Sequence, residues 1–359
     1  MKALSIGIAG AGLLGRLLAW QLARAGHRVS VFDPALDAQP SFDGKQAAGF
    51  TAAGMLSPLA ELDNSSTDVA VLGWRSIALW RGIVSQLKVP PQFSTEGSLL
   101  LAHRSDIGSA QRVLARLSAA PAGTPQAQAL TAAQLASLEP ALHGAAHAWL
   151  LPDEGQIDPV AALLALQAEA RGVQWHWGSH VQSVAPGVLV LRDGISHRFD
   201  LAVDVRGTGS RPELPVRGVR GETVWLHAPG HGLMRPVRLL HPRHRVYLVP
   251  RPGDIVLAGA SEVESEDRSP VSLRSAVELM AAAHSVMPVL AESRILRLDV
   301  NLRPALADNE PHIETADGLL RINGLFRHGW LIAPALVEDA VTQCGLMMNA
   351  AAAAELAHE

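Results

Sequence analysis

The sequence predicts an α/β plus α+β protein in two parts: a discontinuous dinucleotide-binding domain and a second domain built on an antiparallel sheet. Three observations carry this. Residues 4–33 run strand, glycine turn, helix, strand and acid, and α/β character returns at 158–207. Residues 216–303 are instead strand-rich and broken by turns such as Arg251-Pro252-Gly253-Asp254. The implied boundaries are 1–88, 150–215 and 304–359 for the first domain, and 89–149 and 216–303 for the second.

The opening is the most specific element. The apolar run Leu4 to Ala9 leads into Gly10-Ala11-Gly12-Leu13-Leu14-Gly15, then a helical pattern to Gly26, the strand Arg28 to Phe32, and Asp33. This is the order of a Rossmann-type unit. Gly10 permits the tight turn, Gly12 lets backbone approach a pyrophosphate, and Gly15 lets helix and strand pack closely. The phosphates sit at the positive helix N-terminus, near Leu13 and Leu14, and Asp33 accepts a ribose diol.

Further along, residues 68–88 read as a long helix and 119–133 as a surface loop. Thr131 caps a short helix that ends before Glu139-Pro140. Asp158-Pro159 opens a helix closing at Arg171-Gly172, and another covers 272–287 before Pro288. Strands are expected at Ser98–Ala102, Ala148–Leu151, Val173–Trp177, Val188–Arg192 and Phe199–Val205. The strand-rich part adds Thr223–Leu226, Val246–Val249, Ile255–Ala258 and Arg294–Asn301. A last strand is expected at Leu331–Ala333 and a final helix from Pro334 to Ala350.

Bulk composition excludes several function classes. With 359 residues, 48% apolar and 18% charged, the chain is a globular protein with room for two domains and a large core. A net charge of −4 gives no electrostatic case for nucleic acid, and the arginine-rich stretch 206–251 reads as solvated strand ends. Only three of its 30 basic residues are lysine, which leaves Schiff-base chemistry almost no candidates. Cys344 is the one cysteine, so no disulfide framework and no cysteine metal site is expected. His143 and His147 are spaced i,i+4 but lack a further ligand set, so no metal is expected. Arg16 interrupts what would otherwise look like a signal peptide, and no uncharged apolar run reaches the ~18 residues of a membrane span. No membrane attachment and a cytoplasmic location are the expectation, with room for a homo-oligomer.

Six blocks, in order along nearly the whole chain, resemble FAD-dependent amine and amino-acid oxidases of the D-amino-acid oxidase family. They are the N-terminal glycine motif, Ala52-Ala53-Gly54-Met55-Leu56-Ser57-Pro58, and Arg217-Gly218-Val219-Arg220-Gly221-Glu222. Then come Tyr247-Leu248-Val249-Pro250-Arg251 with Val256 to Glu262, Leu302-Arg303-Pro304, and Asn323-Gly324-Leu325-Phe326-Arg327-His328-Gly329-Trp330-Leu331. Within the family the chain is most similar to the bacterial glycine oxidases of thiamine thiazole synthesis. It departs from the family pattern at Arg206, Asn301, Glu314 and Leu325.

The resemblance implies non-covalent FAD, a small amino-acid or amine substrate, and O2 reduced to H2O2. It implies that Arg303 clamps the substrate carboxylate, that the sole tyrosine, Tyr247, adds a hydroxyl, and that Met55 and His241 border the pocket. Ala52, Ala53, Gly54 and Met55 lie against the flavin, Val181 toward the adenine, and Gly207 near the cofactor. Arg327, His328, Gly329, Trp330 and Leu331 lie along the pyrimidine side of the ring. Two alternatives stay open: a D-amino-acid dehydrogenase passing electrons to a quinone, and a flavin-binding protein without turnover.

Overall fold

The computed structural model describes residues 3–240 and 245–346. The strand Ser5–Ala9 lies between Arg28–Asp33 and Leu201–Asp204, parallel to both. Gln174–Trp177 and Leu319–Asn323 extend this sheet in parallel, and His312–Ala316 closes it as an antiparallel edge. Its six strands thus come from three separated stretches of chain. The helices Leu13–Arg24, Pro159–Glu169 and Gly329–Gln343 pack with it into one core that contains Ile6, Leu17, Leu163 and Ile332.

A second sheet of eight strands supplies the other half. Its centre is antiparallel, with Arg217–His227 pairing Arg294–Ala305 on one side and Ile255–Gly259 on the other. One pair, Val237–Leu240 with Ser98–Ala102, is parallel, and it joins the strands from before residue 150 to those after 216. The strand His147–Leu151 belongs wholly to this sheet and crosses the expected boundary at 150.

The caps explain most helix starts. Asp158 accepts the N–H groups of Val160 and Ala161, Ser272 accepts that of Ser275, and Thr131 forms a capping box with Gln134. Several expectations are corrected. Residues 119–133 include the strand Gln128–Leu130 and are not all loop. The helix Ile107–Leu117 was not foreseen; it buries only Ala110, Val113 and Leu117. The arginines of 206–251 are not all solvated ends: Arg220 and Arg251 are each 5% exposed, whereas Arg211 is exposed.

The largest correction concerns the end of the chain. Leu331–Ala333 is helix, not strand, and the last helix begins at Gly329 and ends at Gln343, with Cys344 capping it. Pro334 therefore lies inside a helix, where its missing N–H orphans the carbonyl of Trp330. The neighbouring helix Thr67–Ser85 repairs the break. Trp80 donates its indole N–H to Trp330 O at 2.8 Å, and one turn earlier Ser76 Oγ receives Ala335 N–H at 3.1 Å. The Trp80 and Trp330 rings stack at 5.4 Å. Trp80→Phe is expected to lower stability by about 2 kcal/mol more than Trp20→Phe, because the Trp20 indole N–H is buried without an acceptor. Paired urea denaturation curves measure the difference.

Candidate active site

A cavity of about 1730 Å³ runs from the glycine turn to the face of the eight-stranded sheet. Gly10, Gly12, Leu13, Leu14 and Asp33 line one end. Gly10 adopts φ +105°, and a Cβ there would sit 2.7 Å from the Val205 carbonyl. Gly15 does not line the cavity; a Cβ on it would meet Gly10 O at 1.9 Å, so its part is close packing of helix on strand. Asp33 accepts Ala11 N–H at 2.6 Å and Ala35 N–H at 2.8 Å, which fixes its carboxylate while leaving lone pairs for a diol. This open helix N-terminus with a held acid fits the adenosine diphosphate half of FAD.

Val181 and Gly207 also line the cavity. Arg206, one of the departures from the family pattern, is anchored here. It grips Asp204 through Nε at 2.9 Å and Nη2 at 2.7 Å, and its Nη1 donates to Val181 O at 3.2 Å. Asp204 is fully buried, so the charge of Arg206 is met at once and the loop is tied to the sheet.

The middle of the cavity is bounded by Ala52, Ala53, Gly54 and Met55. Gly54 has φ +62°, and a Cβ would lie 2.1 Å from Ile157 O. Arg251 holds this loop from behind by donating to the carbonyl of Ala53, and it also donates to Gln156 Oε1 at 3.3 Å. It enters no ion pair among the described residues, and burial pushes it down to about 10. Met55 packs in one apolar cluster with Ala53, Val249, Leu257, Trp225 and Tyr247.

The far end holds Tyr247 and Arg303. Tyr247 lies across from Gly259 on one side and Arg238 on the other. Burial pushes its phenol up, against the pull of Arg303, Arg238 and Arg251, so at neutral pH it is a hydroxyl donor. The Arg303 guanidinium covers Gly221, where a Cβ would be 2.5 Å from its Cζ. It donates to Arg220 O at 3.3 Å and to Ser261 O at 3.1 Å, and no carboxylate among the described residues pairs with it. Both of those residues are themselves held by Glu222, which accepts Arg220 Nη2 at 2.7 Å and Ser261 Oγ at 2.8 Å. A rigid guanidinium, charged and unpaired, therefore faces the cavity.

Arg327, His328, Gly329, Trp330 and Leu331 close the wall where the last helix starts. They bring in a residue the sequence did not single out, Glu61. Its carboxylate lies 2.9 Å from Arg238, 3.1 Å from Arg327 and 3.2 Å from His328 Nδ1. Arg238 and Glu154 were missed too. Alternation in Val237-Arg238-Leu239 places Arg238 on one face, but nothing local tells a buried face from a wet one. His241 lies outside the described residues.

Glu154 is fully buried behind this wall, accepting Ala60 N–H at 2.9 Å and Ser98 Oγ at 2.5 Å. Burial pushes its carboxyl up to about 7 from 4.5, against Arg238 and these hydrogen bonds. Folding thus favours the protonated form. Its contribution is complete below about pH 4.5, falls as pH rises, and is gone above about 7. Glu154→Gln is expected to flatten the fall in stability across that window by about 3 kcal/mol, read from denaturation curves against pH.

Comparison with known proteins gives a consistent result. The family described as FAD dependent oxidoreductase, DAO, matches residues 5–341. The chain is 35% identical over 332 residues to the thiamine biosynthesis oxidoreductase ThiO of Rhizobium etli, covering 92% of this chain and 93% of that protein. It is 26% identical over 373 residues to the glycine oxidase of Geobacillus kaustophilus, covering 94% and 92%. The crystal structure of glycine oxidase from Geobacillus kaustophilus superposes with a TM-score of 0.79 at 24% identity, over 98% of this chain and 99% of that one.

Proposed function

Since the chain belongs to the DAO family of FAD-dependent oxidoreductases, of the glycine oxidase and ThiO type, we propose that it oxidises glycine or another small amino acid or amine acid to its imine, which water can hydrolyse to the oxo acid. O2 is the proposed electron acceptor and H2O2 the second product, and the glycine imine would serve thiamine thiazole synthesis. The oxygen reading draws on relatives named as glycine oxidases and the thiamine reading on the relative named ThiO. No helix among the described residues is long and apolar enough to cross a membrane; a cytoplasmic enzyme is part of the proposal.

One observation carries the substrate class: the half-buried, unpaired guanidinium of Arg303 beside the Tyr247 hydroxyl. A planar guanidinium binds a carboxylate through two parallel hydrogen bonds, and Tyr247 can donate a third. Gripped there, the substrate has one orientation of its Cα, with Met55 and its apolar cluster excluding water on that side. FAD supplies the acceptor for the hydride when bound. The residues that would hold it are the glycine turn, Asp33, the loop 52–55 and the start of the last helix. That helix start places a positive dipole at the wall, suited to negative charge.

An anaerobic absorption spectrum tests the reaction. Glycine is expected to bleach the flavin bands, which return with peroxide when air is admitted; a spectrum that no small amino acid alters overturns the proposal. Arg303→Ala is expected to keep FAD while raising the glycine concentration needed for half-bleaching about a hundredfold, the loss of about 3 kcal/mol of charged hydrogen bonding. Loss of both flavin and fold in that variant would instead make Arg303 structural.

A further inference from the structure

Resting on the amino-acid oxidase reading above, we infer that Glu61 is a specificity-determining residue that confines the cavity to substrates with a single carboxylate and turns away those with a second acidic group. Among the arginines that line the cavity, Arg238, Arg303 and Arg327 form one group around Glu61 and Tyr247. Three such charges with no internal partners would attract dianions. Glu61 prevents this.

The carboxylate of Glu61 is 7% exposed and divides its two oxygens among the cations of the wall. Oε1 accepts Arg238 Nη2 at 2.9 Å, while Oε2 lies 3.1 Å from Arg327 Nη2 and 3.2 Å from His328 Nδ1. Burial alone would push this carboxyl up, yet Arg238, Arg327 and His328 hold it well below the usual range, so it is ionised. Arg327 is further met by Glu262 at 3.5 Å. Two carboxylates therefore match Arg238 and Arg327, and of these three guanidiniums only Arg303 remains unmatched. Glu154, the next carboxyl along, is bound to Ser98 and Ala60 and forms no ion pair with Arg238.

One unmatched cation receives one carboxylate. A second acidic group entering the cavity would have to displace Glu61 from Arg238, leaving a buried ionised carboxylate short of its partner. In Glu61→Gln that obstacle is gone. Arg238, whose Nε is buried without an acceptor, becomes a second carboxylate receptor.

Two unreactive probes test the inference by equilibrium binding to the FAD-loaded protein, read from the shift of the flavin absorption bands. Methoxyacetate carries one carboxylate, and diglycolate carries two on the same ether skeleton. Wild type is expected to bind diglycolate no more tightly than methoxyacetate. Glu61→Gln is expected to favour diglycolate by about tenfold, and Glu61→Gln with Arg238→Met to return to the wild-type ratio. A wild-type preference for diglycolate, or an unchanged ratio in Glu61→Gln, overturns the role of Glu61. Should Glu61→Gln fail to fold, Arg238→Met alone removes one wall cation and is expected to weaken methoxyacetate at least threefold; unchanged affinity there overturns it as well. Failure of the underlying reading looks different, because then neither probe shifts the flavin of wild type and glycine does not bleach it.

Discussion

The close contact between Gly15 and Gly10 is the constraint on which the rest of the structure depends. With a hypothetical Cβ only 1.9 Å from a carbonyl oxygen, no residue larger than glycine lets the helix Leu13–Arg24 settle onto its strand at this height. That height aims the helix N-terminus along the cavity. It also buries Arg16, 1% exposed, whose guanidinium donates to Ala11 O, Leu163 O and Ala38 O. The glycine turn, the helix Pro159–Glu169 and the segment at Ala38 are thus tied to one helix turn.

The opposite wall rests on a different device. A proline inside the last helix would ordinarily leave a carbonyl and an N–H without partners. Here both are taken by Trp80 and Ser76, one turn apart on the helix Thr67–Ser85. The two helices are locked in register by polar contacts inside an apolar core, and Arg327 and His328 stand at the mouth of the locked pair. The positions of those two side chains follow from the packing of these two helices.

Charge is managed by burial with assigned partners. Arg206 has Asp204, Arg220 has Glu222, Arg238 and Arg327 share Glu61, and Arg16 and Arg251 are met by carbonyls. Arg303 is likewise held by two carbonyls that cannot neutralise it, but of these three arginines it alone lines the cavity. An unmatched guanidinium open to the cavity is suited to an anion.

Much of this was legible in the chain. The glycine spacing with its flanking strands and Asp33 determined the nucleotide fold, because those residues act through backbone conformation and close approach, which are local. The caps at Thr131 and Asp158 were local too, and the six ordered blocks identified the family. Tertiary structure alone decided the rest. Leu331–Ala333 has the composition of a strand, and became helix because neighbouring side chains repaired the break at Pro334. The arginines of 206–251 look like any solvated cations in sequence, yet their meaning depends on which carboxylate each meets across the fold. Glu61 and Arg238 stand 177 positions apart, and only the folded chain brings that carboxylate and that guanidinium to the same wall.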